Sequence, residues 1–426
     1  MDRQAKATSG CHSQFQTIKL TRASVAYPVG AFRPAGNGEN LSKRKRLHWT
    51  AARRERACLV GVRVRRRSNG WALRDSIAEL EALATAAGAN PVATVTQTLN
   101  APSPTYVGTG KLEELEATVQ DSYVETVICD DELTPAQQRV LEDRLKVKVI
   151  DRTALILDIF AGRARTREGK LQVELAQVEY LMPRLAGQWS HLERLGGGIG
   201  TRGPGESQIE TDRRLMRVRA RDLRRAISDV RDQRGAQRRR RVRGDVRTVS
   251  LVGYTNAGKS ALFNALTGSD IRSVDRPFET LDTTTRRLYL PSGTQATLSD
   301  TVGFINKLPP ILIDAFNATL EEAMFADLLV HVTDVSNPLA AEEAEVVDAV
   351  LADLGLGETP RVLVLNKLDL VADEPDLDGD SAHEGAVMTS AIKRWGIDAL
   401  RHAIDAALAN MRDDDAELEV AASSTA

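Results

Sequence analysis

The chain has 426 residues, of which 42% are hydrophobic and 27% are charged, and its net charge is −2. This length predicts two or three domains with real cores, and no apolar run approaches the length of a membrane span. The polar N-terminus has no signal-peptide pattern, and the three cysteines have no metal-ligand spacing, so we expect a cytoplasmic protein without disulfides.

Charge is divided unevenly along the chain. Residues 1–247 contain 45 Lys and Arg against 29 Asp and Glu, a balance of +16, whereas residues 248–426 contain 12 against 30, a balance of −18. A basic front half predicts contact with a polyanion. Because only 4% of the residues are aromatic, contacts to phosphate groups are favoured over base stacking.

Residues 1–57 are basic and irregular, and we expect a disordered tail. Residues 58–163 alternate strand and helix patterns and predict a small parallel α/β domain. The predicted strands are 58–64, 91–98, 124–129 and 147–150, and the predicted helices are 73–86, 112–119 and 135–144. The Gly108-Thr109-Gly110-Lys111 piece of this domain lacks phosphate-loop spacing and favours a tight turn.

Residues 164–245 predict two long helices, 170–186 and 207–242, each with one apolar stripe. Leu171, Leu175 and Val178 lie on the first stripe, and we expect an antiparallel helical hairpin in which each stripe buries the other. The connection 195–206 contains six glycines. Such a loop is either a plain hinge or backbone that approaches a ligand closely, and its location at the tip of the hairpin, beside Arg194 and Arg202, favours contact with RNA.

A glycine-containing motif follows the apolar run 249–252 and precedes a helical pattern. Its G-x-x-x-x-G-K-S spacing between strand and helix is that of a phosphate loop. Backbone N–H groups of such a loop surround phosphates, Lys259 reaches the β- and γ-phosphates, and the Ser260 hydroxyl binds Mg²⁺. The predicted phosphate-binding residues are Gly253, Tyr254, Thr255, Asn256, Ala257, Gly258, Lys259 and Ser260.

A second motif, N-K-x-D, follows the apolar run 362–365. The Asp369 carboxylate can accept from N1–H and from the N2 amine of guanine, which adenine does not present, so the motif indicates GTP as the substrate. A weaker motif after residues 386–388 is predicted to contact guanine through its backbone. The predicted base-binding residues are Asn366, Lys367, Leu368, Asp369, Ser390, Ala391 and Ile392.

Two segments between these motifs are predicted to respond to the nucleotide. In the second switch, Asp300 holds Mg²⁺ through water and the Gly303 N–H senses the γ-phosphate. In the first switch, Thr280 is preferred as the second hydroxyl ligand of Mg²⁺, although Thr283, Thr284 and Thr285 are close by. The nucleotide-binding residues predicted here are Phe278, Glu279, Thr280, Leu281, Asp282, Asp300, Thr301, Val302 and Gly303, and the predicted catalytic residues are Lys259, Thr280 and Gly303.

Two residues leave the hydrolysis chemistry open. Phe304 stands where many small GTPases carry the Gln that orients the attacking water, so we expect slow hydrolysis that a partner accelerates. Asn256 is either a ligand of K⁺, which would then supply positive charge against the phosphates, or a plain loop residue.

The predicted fold is therefore α/β. It consists of a small N-terminal parallel α/β domain at 58–163, a long antiparallel helical hairpin at 164–245, and a P-loop G domain with a mainly parallel sheet at 246–411. The G domain is expected to contain a hairpin of 288–290 with 296–299 and strands at 328–334 and 362–365. Residues 412–426 are acidic, and we expect them to be disordered.

From about residue 59 to about residue 405, the chain resembles the HflX family of ribosome-associated GTPases. Besides both switches, the resemblance rests on residues 105–111, 151–153, 168–176, 196–206 and 210–214. It implies binding to the large ribosomal subunit and its ribosomal RNA, with the helical hairpin near the peptidyl-transferase region, and a role in splitting or rescuing stalled ribosomes under stress. Thr283 stands where the family usually has Pro, and the tail 1–57 is outside the family's pattern.

Two other classes of function stay open. The first is a regulatory GTPase that binds a protein partner, and salt-sensitive association with ribosomes distinguishes it from a ribosome factor. The second is an RNA-remodelling enzyme that binds ATP in its N-terminal half, where no ATP motif is visible. In each case we expect a monomer.

Overall fold

The structure is a computed structural model that describes residues 54–65, 71–185, 208–242, 246–269, 277–312, 322–372, 382–383 and 385–424. The Gly-rich connection 195–206 and residues 1–53 of the predicted tail lie outside the described residues. Of the helices described, none combines the length and the apolar character needed to cross a bilayer.

The first folded part is a four-stranded sheet with the strand order β2-β1-β3-β4, in which every neighbouring pair is parallel. Its strands are β1 Arg56–Val64, β2 Asn90–Leu99, β3 Thr126–Cys129 and β4 Lys148–Asp151. The helices are α1 Leu73–Ala86, α2 Thr109–Asp121, α3 Pro135–Leu145 and α4 Arg152–Arg163. The small parallel α/β domain is thus confirmed, with element ends that differ from the predicted ones by at most three residues.

Helix α4 has no counterpart among the predicted elements. Its sequence is apolar on several sides, and Leu155, Ile156, Leu157, Ile159 and Phe160 are all buried. A helix that is buried on most of its surface has no polar face, so it lacks the periodic contrast that identifies a surface helix. The Asp151 side chain begins it by accepting from the Ala154 N–H at 2.9 Å.

Gly108 begins α2 as its N-terminal flanking residue, and Lys111 forms a 2.7 Å ion pair with Glu114. The lysine is therefore engaged on its own helix. Thr109, Gly110 and Lys111 form the first turn of α2, so this Gly-rich piece is the start of a helix and not the tight turn that the sequence analysis favours.

Two helices, α5 Arg167–Leu181 and α6 Gln208–Val242, connect this domain to the next one. In α5 the buried positions include Val173, Ala176 and Tyr180, whereas Leu171 and Leu175 of the predicted stripe are only partly buried. The reason is that α5 packs into the core shared with α4 as well as against α6.

Helices α5 and α6 pack against each other, as the sequence predicts. Arg219 of α6 bonds to Glu174 of α5 at 2.7 Å, and Arg224 bonds to Glu179 at 2.5 Å. The arginines of both pairs are exposed, so these ion pairs join the two helices at the surface.

The second folded part contains a seven-stranded sheet with the order β10-β11-β9-β8-β5-β7-β6. Its pairs are parallel except β6 with β7 and β10 with β11 at the two edges. The strands are β5 Arg247–Gly253, β6 Thr284–Tyr289, β7 Gln295–Asp300, β8 Leu328–Asp334, β9 Arg361–Asn366, β10 Ala382–His383 and β11 Ala386–Met388. The helices are α7 Lys259–Thr267, α8 Ala340–Asp353 and α9 Ile397–Ser424. The mainly parallel sheet is as predicted.

Helix α9 continues to Ser424, although the sequence analysis expects disorder from residue 412 onwards. The segment contains Ala, Leu and Glu, which have high helix propensity, and the acidic run alone suggested a tail without structure. Charge composition therefore misled the prediction at this end of the chain.

One hydrophobic cluster extends across the two folded parts. It joins Leu59 and Phe160 of the N-terminal domain with Tyr254, Phe278 and Phe304 of the G domain. The carboxyl ends of β5 and β7, where the predicted site residues lie, therefore face the N-terminal domain across packed side chains.

Candidate nucleotide and magnesium site

The predicted phosphate loop lies between β5, which ends at Gly253, and α7, which begins at Lys259. Its backbone turns around a cleft, as expected for N–H groups that would converge on phosphates at a helix N-terminus. The residues that line the cleft are Thr255, Asn256, Gly258, Lys259, Ser260, Phe278, Glu279, Thr280, Thr301 and Gly303. The structure thus brings residues from the phosphate loop and from both predicted switches to one place.

Lys259 is buried beside this cleft. Its Nζ donates to the carbonyl oxygen of Tyr254 at 2.6 Å and to that of Gly253 at 3.1 Å. Burial lowers the pKa of Lys259 to about 8, because a charged ammonium is poorly solvated there. The two carbonyls hold the amine at the mouth of the loop, where phosphate oxygens would provide the missing negative charge.

Three oxygen atoms meet next to the lysine. The Ser260 hydroxyl lies 2.7 Å from the Thr280 hydroxyl, and Asp300 Oδ2 accepts from Ser260 at 2.7 Å and from Thr280 at 3.0 Å. Burial raises the pKa of Asp300, and its other oxygen, Oδ1, is buried without a hydrogen-bond partner. Neighbouring oxygens around an octahedral Mg²⁺ lie about 3 Å apart, so this oxygen set fits Mg²⁺.

Two of the other candidate hydroxyls of the first switch lie on a strand and do not line the cleft. Thr284 and Thr285 belong to strand β6, which pairs with β7, and Thr285 Oγ1 is 3.2 Å from Ser299 Oγ. The structure therefore places Thr280, the preferred candidate, at the oxygen cluster.

Gly303 packs directly on the phosphate loop. A Cβ at this position would lie 2.6 Å from Thr255 Cα and 3.0 Å from Lys259 Nζ. Thr255 N–H donates to the Phe304 carbonyl at 2.7 Å, and Phe304 N–H donates to the Gly253 carbonyl at 3.1 Å. The Phe304 ring is 1% exposed, so it cannot orient a water molecule in the cleft.

Of the two remaining residues of the second switch, one bonds to the backbone of a neighbouring strand and the other packs in the core. Thr301 donates its hydroxyl to the Leu251 carbonyl at 2.6 Å, and Val302 is buried. These contacts fasten the end of β7 to β5 and so set the position from which Gly303 reaches the loop.

The predicted base motif lies on the far side of the phosphate loop. Asn366 donates to the Ala257 carbonyl at 2.9 Å and accepts from the Ala391 N–H at 3.2 Å, so its amide joins the loops. Asp369 Oδ1 accepts from the Ser390 hydroxyl at 2.5 Å, and Lys367 pairs with Asp334 at 2.7 Å. The carboxylate of Asp369 is thus oriented by a serine, with its second oxygen available to a ligand.

The other two base-motif residues differ in exposure. Leu368 is 7% exposed and packs in the interior, whereas Ile392 is 77% exposed. A backbone contact from the 390–392 segment does not require the Ile392 side chain, which agrees with its exposure.

In the first switch, Glu279 and Asp282 contact the N-terminal domain. Glu279 pairs with Arg163 at 2.7 Å, and Asp282 accepts from the backbone N–H of Arg165 at 2.7 Å. Leu281 is 3% exposed. Of the five residues predicted from this segment, Thr280 thus lies at the oxygen cluster while two acidic side chains bond across the domain boundary.

A second set of residues at this boundary surrounds the Tyr254 side chain, and apart from Tyr254 it is absent from the predicted site. The Tyr254 hydroxyl accepts from the Asn306 N–H at 2.7 Å and donates to Glu79, which also bonds to Arg152. Arg152 is 1% exposed and bonds to Asp130 at 2.9 Å. One feature of the sequence could have indicated this network. Arg152 directly follows a strand and begins an apolar helix, and an arginine buried there needs acidic partners.

Lys307 connects this network back to the second switch. Its Nζ bonds to Asp130 and, at 2.7 Å, to Asp131, both at the end of β3. Trp71 stacks on the Tyr254 ring with centroids 6.1 Å apart. Both switches are therefore attached to the N-terminal domain.

Three family models match consecutive parts of the chain. Residues 74–161 match "GTP-binding GTPase N-terminal", residues 163–241 match "GTP-binding GTPase Middle Region", and residues 248–367 match "50S ribosome-binding GTPase". Together they extend from α1 of the N-terminal domain, through the helices between the domains, to the end of β9 in the G domain.

Two relatives are similar over most of this length. The chain is 49% identical over 332 residues to "GTPase HflX" of Caldanaerobacter subterraneus subsp. tengcongensis, covering 78% of this chain and 76% of the relative. It is 46% identical over 333 residues to "GTPase HflX" of Escherichia coli strain K12, covering 78% of each. Among solved structures, the complex of SsGBP with GDP is 24% identical, with a TM-score of 0.46 over 84% of this chain and 99% of that one.

Proposed function

Because this chain belongs to the HflX family of GTPases, we propose that it is a GTP-switched factor that associates with the large ribosomal subunit and acts on stalled ribosomes under stress. Its GTPase activity follows from the family and from the P-loop domain. The observation that carries the ribosomal part of the proposal is the basic helix α6, described next.

Helix α6 carries an array of exposed arginines. Its sequence contains 13 Arg against 5 Asp and Glu, a net charge of +8. The exposed arginines within residues 210–232 are Arg214, Arg217, Arg219, Arg221, Arg224, Arg225 and Arg231. Arginine binds phosphate oxygens with two parallel hydrogen bonds, so a surface of this kind fits the backbone of ribosomal RNA.

The G domain would supply the switch. We assign Ser260 and Thr280 as direct ligands of Mg²⁺ and Asp300 as a ligand through water, while Lys259 and the loop backbone bind the phosphates. Mg²⁺ bound there would neutralise charge that develops on the transferred phosphoryl group. Thr280 and Gly303 would be held in place by GTP and released after hydrolysis, which gives two states that differ at the N-terminal domain.

The protein alone is expected to hydrolyse GTP slowly, because no Gln follows Gly303 and Phe304 is buried. Large ribosomal subunits are expected to raise turnover by roughly 10³-fold or more if they complete the site. Phosphate release is measured with and without purified subunits. Fast turnover by the protein alone would contradict this assignment.

Arginines of α6 are expected to be needed for that stimulation. The double substitution R217E/R225E reverses two exposed charges, so it should abolish most of the stimulation and leave the rate without subunits unchanged, since α6 lies outside the G domain. R74E is a matched control, because Arg74 is 88% exposed on α1 of the N-terminal domain. Equal stimulation of R217E/R225E and R74E would instead favour a protein partner.

K⁺ is a further expected cofactor. Asn256 is exposed at the phosphate cleft with a φ of 65°, so its side-chain oxygen is accessible to a monovalent cation beside the phosphates. We expect GTP hydrolysis to be at least about tenfold faster in KCl than in NaCl, and N256A to lose this difference. Equal rates of the unaltered protein in the two salts would identify Asn256 as a plain loop residue.

A further inference from the structure

The first switch connects the magnesium ligands to the N-terminal domain within five residues, 278–282. Phe278 packs edge-on against Phe160 with ring centroids 4.6 Å apart, and Glu279 pairs with Arg163 at 2.7 Å. Thr280 lies between these contacts and Asp282, with its hydroxyl at the oxygen cluster. One short segment therefore touches both the magnesium site and the neighbouring domain.

Asp282 bonds to the beginning of helix α5. Its Oδ2 accepts from the backbone N–H of Arg165 at 2.7 Å and of Thr166 at 2.9 Å, and its Oδ1 accepts from the Thr166 hydroxyl at 2.5 Å. Thr166 is the N-cap residue of α5, and its hydroxyl oxygen accepts from the Gly169 N–H at 3.0 Å. The carboxylate thus satisfies donors at the start of the helix and places a negative charge near its positive end.

Gly169 allows this close approach. A Cβ there would lie 2.5 Å from Asp282 Oδ1, so any larger side chain would displace the carboxylate. Glycine is a poor helix former, yet it occupies the first turn of α5. The contact with the first switch gives a physical reason for a glycine at this position.

We infer that Asp282 is a positioning residue that transmits the nucleotide state from the first switch to helix α5. Two residues of chain span at most about 7 Å, so a movement of Thr280 away from the magnesium site that exceeds this reach draws Asp282 away from α5. Through its ion pairs to Arg219 and Arg224, α5 is joined to the arginine-bearing helix α6. The inference needs GTP binding by the switch and is independent of any association with ribosomes.

Amide hydrogen exchange of the full chain with Mg²⁺ tests this coupling. Exchange at Arg165 and Thr166 is compared between a non-hydrolysable GTP analogue and GDP. In the unaltered protein we expect exchange to be at least about tenfold slower with the analogue, because both N–H groups then donate to Asp282. D282A and G169A should each remove the difference.

The two variants have opposite effects on the stability of α5. If both remove the difference in exchange, the lost contact with Asp282 is the cause and not a change in helix stability. D282A removes the capping acceptor, whereas G169A introduces a better helix former and displaces the carboxylate. G162A is the matched control, because a Cβ at Gly162 in α4 would meet no atom within 4 Å. It should keep the full difference between nucleotides.

Each outcome of this experiment either supports or overturns the role of Asp282. Equal exchange with both nucleotides in the unaltered protein overturns the inference, as does an undiminished difference in D282A or G169A. GDP affinity is measured for every variant to show that the G domain is folded. Should D282A fail to bind GDP, G169A, which lies outside the G domain, gives the result on its own.

Discussion

Replacing Asp369 with asparagine is expected to reduce GTP affinity by roughly 10²–10³-fold and to transfer the preference to xanthosine triphosphate. The carboxylate would accept two hydrogen bonds from guanine, and each bond to a charged group contributes about 1.5–3 kcal/mol. In D369N the side-chain oxygen can still accept from Ser390, which leaves the amide facing the base. That amide matches the C2 oxygen of xanthine and repels the C2 amine of guanine.

Fluorescent-nucleotide titration of the variant with GTP and xanthosine triphosphate measures both effects. D398N is the control, because the Asp398 side chain is 89% exposed on α9 and pairs only at the surface with Arg401. It should bind GTP as the unaltered protein does. GTP affinity retained by D369N would show that guanine is recognised elsewhere.

Substituting Gly303 with alanine is expected to slow GTP hydrolysis by about 100-fold or more while GDP affinity changes little. The added Cβ would lie 2.6 Å from Thr255 Cα and 3.0 Å from Thr255 N, and these backbone atoms cannot move aside without distorting the phosphate loop. The second switch would be displaced instead, which removes a transition-state contact of the kind that contributes 10²–10³ in rate.

Single-turnover hydrolysis and GDP binding are compared in G303A and in G110A. Gly110 lies in α2, and a Cβ there meets no atom within 4 Å, so the control makes the same chemical change in open space. If G303A hydrolyses GTP at the same rate as G110A, close contact of Gly303 with the phosphate loop is not needed for hydrolysis.

Fold prediction from sequence succeeded where a local pattern determines the structure. The phosphate loop needs a fixed spacing between strand, glycines and lysine, so residues 253–260 specify their own conformation between β5 and α7. The predicted strand at 328–334 agrees with β8, because a short segment rich in Leu and Val between turn residues is typical of a strand buried on both faces.

Contacts between distant parts of the chain could not be predicted in this way. Asp282 looked like a nucleotide-binding residue because it belongs to a switch motif, yet its partners lie 116 and 117 residues earlier. Tyr254 looked like one more loop residue, although its hydroxyl bonds to Glu79 of the N-terminal domain. No periodicity encodes such partners, since they depend on how two folded domains pack.

Sedimentation through a sucrose gradient with purified large ribosomal subunits tests the central claim most directly. The account predicts co-migration with the subunit when a non-hydrolysable GTP analogue is bound and release when GDP is bound. It also predicts steep weakening between about 50 and 200 mM salt, because arginine contacts to RNA phosphates release counterions. Absence of co-migration with both nucleotides, or equal co-migration with both, would contradict a GTP-switched ribosome factor.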